Sequence, residues 1–370
     1  MIYFSACIIM GHMKKFSAAA AAVFAAFLLC SCTLSPLFTA KTYSEMYFGA
    51  PVTVQFDTRR LSKAAYEEIF DGAERIAADI HALTDPENPD SDVTKFNALS
   101  EGESVTIDDV TADILQTALE WGEKTNGYFN VLIAPVTRLW GFSYDLWDND
   151  DYVFAPPTQA EIDAVLPLLS LENITLDGNL LTKNNFDEVT LDLGGIAKGY
   201  AAGKIREYLQ EQGVIYGLVS LGSSSMELLK FSESEPWNLG VIHPRGTAST
   251  PPLLDIPAEN IAVSTSGDYE RYYEYGGKRY SHMLDPFTGR PIDDGTMSVA
   301  VIGEDSAACD ALSTALCAMG WEKAVAFAKT LKGEYDVYIA YEAEGTYHLY
   351  ANVPASSFRV TDENFLVETE

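Results

Sequence analysis

The sequence contains 370 residues, of which 47% are hydrophobic and 21% are charged, a composition typical of a globular protein with one large core or two domains. Acidic residues outnumber basic ones by 54 to 24, so the formal net charge is −30 at pH 7. Nucleic acids and anionic lipid surfaces bind clustered Lys and Arg, so this charge balance argues against both as partners. An anionic ligand would need local help from a metal ion or from the amides at the end of a helix.

The N-terminal region is predicted to be a targeting segment. Lys14 and Lys15 precede a run of Ala, Phe and Leu at 16–29 that carries no charge. The run is too short for a membrane-spanning helix and has the length of the apolar part of a signal peptide. The basic pair follows Met13, which could be the true start in place of Met1.

The end of this run resembles a bacterial lipobox, because Leu-Cys-Ser-Cys places Cys32 where a lipid would be attached. We therefore expect residues 1–31 to be a lipoprotein signal peptide, residues 32–45 to be a tether, and the mature protein to be an extracytoplasmic, membrane-anchored lipoprotein. A plain secretory peptide and a membrane anchor are the alternatives. Cys309 and Cys317 are eight residues apart on a predicted helix, about 12 Å along its axis, so we expect two buried free thiols and no disulfide.

Hydrophobic periodicity and turn residues predict an alternation of helices and strands. In chain order we expect a strand at 46–56, helices at 64–83 and 110–125, an aromatic segment at 128–142, a helix at 158–169, strands at 174–176 and 189–193, a helix ending near 212, strands at 214–221, 237–242 and 298–302, helices at 306–318 and 322–331, and strands at 335–341 and 346–350. Several strands are adjacent in sequence, which favours an α+β fold with mixed or antiparallel sheets and packed helices over a pure βαβ series.

One segment, 190–203, combines a predicted strand, a Gly-Gly break and a predicted helix. Its glycines recur every fourth residue and would share one helix face: Gly195, Gly199 and Gly203. Each Gly costs a helix about 1 kcal/mol of propensity, and close packing against the bare backbone is the usual reason for accepting that cost. Asp192 and Lys198 could frame an anion at the start of this helix, and a tight turn with ordinary close packing is an equally good interpretation.

Two further places carry candidate catalytic chemistry. Asp310 and Thr314 are four residues apart on a predicted helix, so their oxygens would share a face that suits a hard cation such as Mg²⁺. The alternative is that Thr314 bonds back to a backbone carbonyl and Asp310 simply lies near a helix start. His282, at the end of a predicted strand, is either a general base near neutral pH or a half-buried strand histidine.

Seven segments, taken in order, cover nearly all of the mature chain. They are YFGAPVTVQF (47–56), SDVTKFNA (91–98), NVLIAPVTRLWGF (130–142), LDLGGIAKGYAAGKI (191–205), STSGDYERYY (264–273), SHMLDPFTGRPI (281–292) and CDALSTALCAMG (309–320). Together they resemble the ApbE-like FAD:protein FMN transferase family. The resemblance implies an α+β catalytic domain at 46–355, with a cleft for FAD between two subregions, and a C-terminal tail at 356–370.

The resemblance also implies the reaction and its residues. With Mg²⁺ on the pyrophosphate of FAD, a Thr or Ser hydroxyl of a client protein attacks the FMN phosphorus, and AMP leaves. The implied metal ligands are Asp310, Thr314 and the backbone carbonyl of Gly195, and the implied base for the hydroxyl is His282. The implied FAD contacts are Phe48, Tyr128, Phe129, Asn130, Asp192, Lys198 and the backbone at Leu284. The expected partners are FAD, an unidentified client protein and, through a lipid on Cys32, a membrane.

Two other functions would use the same pocket. In a Mg²⁺-dependent FAD pyrophosphatase, water would take the place of the client hydroxyl and FAD would yield free FMN and AMP. In an FAD-binding lipoprotein with little turnover, FAD would stay bound and intact. A flavin covalently attached to a client, free FMN with AMP, and intact bound FAD are the outcomes that separate the three hypotheses.

Overall fold

The computed structural model describes residues 38–232 and 235–369. The strands are β1 (Phe38–Tyr47), β2 (Ala50–Asp57), β3 (Ser104–Thr106), β4 (Ile174–Asp177), β5 (Leu180–Lys183), β6 (Gly217–Leu221), β7 (Ser225–Leu228), β8 (Trp237–Val241), β9 (Leu254–Ala258), β10 (Ile261–Gly267), β11 (Tyr272–Tyr275), β12 (Lys278–Ser281), β13 (Leu284–Asp285), β14 (Arg290–Pro291), β15 (Thr296–Gly303), β16 (Asp336–Ala343), β17 (Thr346–Ala351), β18 (Arg359–Val360) and β19 (Phe365–Thr369).

The helices of the described residues lie mainly on one side of the largest sheet. They are α1 (Lys63–Thr84), α2 (Asp92–Asn97), α3 (Asp109–Lys124), α4 (Ala134–Leu139), α5 (Tyr144–Trp147), α6 (Gln159–Val165), α7 (Ala197–Glu211), α8 (Ser306–Met319) and α9 (Trp321–Ala328). Across the described ranges, nine strands form the largest sheet in the order β1-β2-β6-β7-β10-β15-β16-β17-β19, antiparallel throughout except for the parallel pair β17–β19. The predicted α+β fold with mixed sheets is confirmed.

Two apolar cores lie on opposite faces of this sheet, as the period of two along a strand requires. In β15, Val299 and Val301 pack on the helical side, while Ala300 and Ile302 pack on the other side. That second side is covered by the small sheet β18-β9-β8. Helix α8 lies within the helical core, and almost every one of its residues is buried, including the polar residues Ser306, Asp310 and Ser313.

The ends of the folded unit differ from the expected domain boundaries. The tether expected at 32–45 overlaps β1 over residues 38–45, because residues 38–42 pair with β2. The tail expected at 356–370 contributes β18 and β19, because residues 359–360 pair with β9 and residues 365–369 with β17. The expected signal peptide and the candidate lipidation site Cys32 lie outside the described residues. Within the described ranges, no helix has the length and apolar character needed to cross a membrane.

Two predicted strands are wrong in detail. The strand expected at 46–56 is a hairpin, because Phe48 and Gly49 adopt positive φ angles of 56° and 69° and reverse the chain between β1 and β2. The segment 189–193 is irregular and belongs to no sheet. The backbone N–H of Leu191 donates to Asn97 Oδ1 at 2.7 Å, and that of Asp192 donates to the carbonyl of Val131 at 2.8 Å, so loop groups replace strand partners.

The glycine face predicted for 190–203 is confirmed at two of its three positions. Helix α7 starts at Ala197, so Gly195 lies before it, but Gly199 and Gly203 both face α8. A Cβ on Gly199 would lie 2.2 Å from the carbonyl oxygen of Ser306, and one on Gly203 would lie 2.7 Å from the Ser306 hydroxyl. The two helices therefore touch backbone to backbone. The Ser306 hydroxyl fixes this contact by donating to the Gly199 carbonyl at 2.6 Å.

Replacing Gly199 with Ala should separate α7 from α8, because the added methyl meets backbone atoms that cannot move aside. We expect the free energy of unfolding to fall by about 3 kcal/mol, the range of overpacked cores. Urea denaturation followed by circular dichroism measures this change. Lys204→Ala on the exposed side of the same helix is the control and should change stability by no more than about 0.5 kcal/mol. Equal stabilities of the two variants would contradict the close contact.

Candidate functional site

The glycine turn at 194–195 is held from both sides. Asp192 Oδ1 accepts a hydrogen bond from the N–H of Gly194 at 2.8 Å, which closes a tight turn before α7. A Cβ on Gly195 would lie 3.2 Å from Phe129 Cε2 and 3.3 Å from Thr314 Oγ1. The turn therefore lies between the loop after α3 and the middle of α8, and only a residue without a side chain fits there comfortably.

Asp310 brings a carboxylate into this region from α8 and is only 3% exposed. Its Oδ2 accepts the N–H of Gly199 at 2.9 Å, and its Oδ1 accepts the hydroxyl of Ser225 at 3.1 Å. The ammonium of Lys198 lies 3.9 Å from Oδ2. Burial raises the pKa of Asp310, and the nearby charge of Lys198 acts in the opposite direction. The carboxylate is thus oriented by two hydrogen bonds before any ligand arrives.

Thr314 lies one helical turn beyond Asp310 and approaches the glycine turn. The alternative in which Thr314 bonds back along the helix is wrong, because the back-bond is made by Ser313, whose hydroxyl donates to the Asp310 carbonyl at 3.0 Å. Ser313 also pairs with the hydroxyl of Ser266 at 2.9 Å. Within the described part of the chain, the hydroxyl of Thr314 makes no hydrogen bond and remains available to a ligand.

These donors fit one kind of cation better than others. Among the described residues, no group of three or more His, Cys, Asp and Glu side chains could hold a metal ion. The carboxylate of Asp310, the free hydroxyl of Thr314 and the backbone of Gly195 instead offer a few hard oxygen atoms. Mg²⁺ prefers such a set, because it completes its octahedron with water and phosphate oxygens.

His282 lies between β12 and β13, where its backbone N–H donates to the carbonyl of Arg271 at 3.0 Å. Its Nδ1 lies 3.2 Å from the same carbonyl oxygen, which can only accept, so Nδ1 carries a proton, and Nε2 keeps a lone pair whenever the ring is neutral. Burial and then the positive charge of Arg271 lower the pKa of His282 to about 3. The imidazole is therefore neutral at physiological pH.

Arg271 and Tyr144 connect this histidine to the N-terminal hairpin, although no pattern in the sequence predicted a role for either residue. The guanidinium of Arg271 lies 5.0 Å from the centre of the Tyr144 ring. The same ring contacts the hairpin turn, since a Cβ on Gly49 would lie 3.0 Å from Tyr144 Cε1. Phe48 in the same turn packs edge-on against His81, with 5.3 Å between ring centres. Basic residues are scarce in this acidic chain, and Arg271 directly precedes the strand pair β11–β12 that leads to His282. That position was the signal in the sequence that could have indicated a role for Arg271.

The remaining residues expected to contact FAD differ in burial and in the hydrogen bonds that their side chains already make. Phe129 and Leu284 are buried, and Phe129 borders the glycine turn. The hydroxyl of Tyr128 accepts a hydrogen bond from Lys323 at 2.7 Å. The side chain of Asn130 is engaged at both ends, donating to the Leu169 carbonyl and accepting from the N–H of Leu132, each at 2.8 Å. Asn130 therefore shapes its loop in this structure.

The order of these residues along the chain and their meeting at one turn can be compared with known proteins. The family model described as the ApbE family matches residues 48–339. The chain belongs to the ApbE family. This match covers well over half of the chain and includes the glycine turn, His282 and α8.

Two curated relatives and one solved structure illustrate the similarity. The FAD:protein FMN transferase of Vibrio cholerae is 30% identical over 288 residues, covering 78% of this chain and 81% of the relative. That of Salmonella typhimurium is 28% identical over 364 residues, covering 95% and 100%. The crystal structure of the Pseudomonas stutzeri flavinyl transferase ApbE, apo form, superimposes with a TM-score of 0.73 at 27% identity, covering 85% of this chain and 94% of that one. The two relatives and the superimposed structure are all named as transferases, and this ApbE family member is therefore a transferase.

The low pKa of His282 predicts a histidine that stays neutral in acid. Long-range ¹H–¹⁵N spectra at pH 5 should show one histidine in the neutral Nδ1–H form, and this signal should vanish in His282→Gln. Because the folded pKa of about 3 lies below the ordinary value of 6.5, the unfolded chain binds the extra proton first. This histidine's contribution to stability is therefore complete above about pH 6.5 and is lost as the pH falls toward 3. A protonated His282 at pH 5 would contradict the lowered pKa of this residue.

Proposed function

We propose that this protein is an FAD:protein FMN transferase that uses Mg²⁺, transfers FMN from FAD to a Thr or Ser hydroxyl of a client protein, and releases AMP. The observation that carries the proposal is the contact between the glycine turn at 194–195 and the Asp310–Thr314 face of α8. It occurs in a member of the ApbE family whose relatives are named for this activity.

In this proposal the cation is held by the carboxylate of Asp310, the hydroxyl of Thr314 and the carbonyl of Gly195. When bound, Mg²⁺ supplies positive charge that offsets the pyrophosphate of FAD and the charge that develops on the leaving AMP. One carboxylate with two neutral oxygens would leave about three of the six octahedral positions for phosphate and water. The protein's own net charge of −30 makes such compensation necessary for an anionic substrate.

The protein side of the reaction is mainly positioning. Phosphoryl transfer requires neutralised charge and an in-line approach more than covalent help. Lys198 and Arg271 bring cationic side chains to the same region, and the carboxylate of Glu270 interacts electrostatically with both. We propose that Lys198 and Asp192 contact the part of FAD that contains the phosphates and the ribose. Phe48, Tyr128, Phe129 and Leu284 would then form apolar walls for its rings, with Asn130 supporting the loop that carries two of them.

His282 is the proposed general base. The client hydroxyl gives its proton to the lone pair on Nε2 while its oxygen forms a bond to the FMN phosphorus. The bond between that phosphorus and the bridging oxygen breaks, and the oxygen leaves with AMP. The pKa of His282 is low in the free protein, and the negative phosphates of FAD beside it would raise that pKa by favouring the charged imidazolium. The base thus gains strength when its substrate is bound.

The test uses purified protein, FAD, Mg²⁺ and a client chosen from the covalently flavinylated proteins of the source cell. Flavin fluorescence that stays on the denatured client, with stoichiometric AMP, supports transfer. Free FMN and AMP without a client would instead establish a pyrophosphatase, and intact bound FAD would establish a flavin-binding lipoprotein. His282→Ala should slow transfer by about 10²- to 10⁴-fold while FAD still binds.

Asp310→Ala should lower the Mg²⁺-dependent turnover by at least about 100-fold, because the buried carboxylate is the only charged ligand in the proposed cation site. The measurement is the rate of AMP release over a range of Mg²⁺ concentrations. Asp163→Ala removes an exposed helix carboxylate and is the matched control, which should retain the parent rate. A variant at position 310 with the parent rate and the parent Mg²⁺ dependence would remove the metal assignment.

We also propose that the protein is a lipoprotein anchored outside the cytoplasm through Cys32. The support is the charged start, the apolar run and the Leu-Cys-Ser-Cys end of the first 32 residues. Cys32→Ser should move the protein from the membrane pellet to the soluble fraction after cell breakage. A Ser substitution at Cys30 is the matched control and should leave the protein in the pellet. If the Cys32 variant stays in the pellet, lipidation at this residue is wrong.

A further inference from the structure

Lys198 occupies an unfavourable place for a cation. It lies in the first turn of α7, where unpaired amides and the helix dipole create positive potential. Its side chain is 19% exposed, so water screens it only in part. The structure offers two compensations: the ammonium donates to the carbonyl of Gly194 at 2.9 Å and lies 3.9 Å from Asp310 Oδ2. Lys198 is thus held by the glycine turn and the buried carboxylate together.

These two acceptors flank the place where the proposed cation would bind. The metal ligands in the proposal are the carbonyl of Gly195, which is the next residue of the same turn, and the carboxylate of Asp310. Within the described residues, Lys198 is also the cation that forms an ion pair with Asp310, and a carboxylate only 3% exposed needs such a partner. The ammonium therefore already neutralises the negative charge of Asp310, as a metal ion would.

We propose that Lys198 is an exchangeable counter-ion, which neutralises Asp310 in the metal-free protein and turns to the phosphates of FAD when Mg²⁺ takes its place. This inference rests on the proposed function, because it assumes the cation site and the dinucleotide. Two positive charges on one carboxylate repel each other strongly in a partly buried site, so the ammonium and the metal ion compete. The flexible four-carbon stem of lysine allows the move without any change in the backbone.

If Lys198 has this role, its removal should change the affinities for the divalent cation and for FAD in opposite directions. The metal-free protein should bind a divalent cation more tightly, because the competing ammonium is gone. FAD should bind more weakly, because its phosphates lose a cation. A lysine that only contacted FAD would change FAD binding alone, and a lysine that supported the metal site would weaken both.

The first experiment measures Mn²⁺ binding to the full chain without FAD, by the loss of the electron paramagnetic resonance signal of free Mn²⁺. Lys198→Met should bind Mn²⁺ at least about tenfold more tightly than the parent and should bind FAD at least about tenfold more weakly, measured by flavin fluorescence. Lys204→Met is the matched control, since Lys204 lies on the same helix and pairs with Glu207 at the surface. Unchanged or weaker Mn²⁺ binding by Lys198→Met would overturn the proposal.

A second measurement leaves the site intact. Brief acetylation of the parent protein, read by mass spectrometry, should label Lys198 faster when Mg²⁺ is added, because the metal ion displaces the ammonium from Asp310. Labelling of Lys204 should not respond to Mg²⁺. A Lys198 reactivity that is the same with and without Mg²⁺ would contradict the exchange.

One further variant separates this inference from the proposed function. Asp310→Asn should lose Mn²⁺ binding in the same assay. If Asp310→Asn loses binding and Lys198→Met gains none, the cation site stands and the exchange is wrong. If Asp310→Asn binds Mn²⁺ like the parent, the proposed cation site itself is wrong, and the exchange falls with it.

Discussion

Asp310 keeps a carboxylate inside the protein, and most of the local structure follows from how that charge is tolerated. A buried carboxylate is costly unless hydrogen bonds and an opposite charge compensate it. Here the backbone of α7, the hydroxyl of Ser225 and the ammonium of Lys198 share that task. The three groups come from a helix end and from the central sheet. The position of the charge is therefore fixed by the fold as a whole and not by one flexible side chain.

The backbone contact between α7 and α8 makes this compensation possible. The N–H of Gly199 can reach Asp310 because no side chain separates the two helices at that point. The same close approach brings the glycine turn against Thr314. The glycines are thus required by the electrostatics of Asp310 as much as by packing. A larger residue would move a hydrogen-bond donor and two candidate ligands at the same time.

Local patterns in the sequence predicted much of the fold. The helix expected at 64–83 is α1 at Lys63–Thr84, and the one expected at 110–125 is α3 at Asp109–Lys124, whose N-cap Asp108 accepts the N–H of Val110. Such elements are set by periodicity and caps, which are readable over a few residues. The thiols of Cys309 and Cys317 are free and buried as expected. The order of strands in the sheet was not predicted, because it depends on pairings between distant segments.

The candidate site shows the same division between local and distant information. The spacing of Asp310 and Thr314 correctly placed both on one helix, and the resemblance to a family connected that helix with the glycine turn. Ser225 was missed because it lies 85 residues from Asp310, in a serine triplet whose composition indicates only a turn. The false strand at 189–193 arose because alternating apolar residues look alike whether their backbone bonds to a strand or to Asn97.

The early start of the folded unit has a spatial consequence. Strand β1 begins at Phe38, six residues after Cys32, and a chain of that length spans at most about 20 Å. With a lipid on Cys32, this short linker would hold the first strand of the central sheet near the lipid headgroups. The enzyme would then modify clients whose acceptor segments come close to the bilayer. A longer linker would extend the distance from the membrane at which clients can be modified.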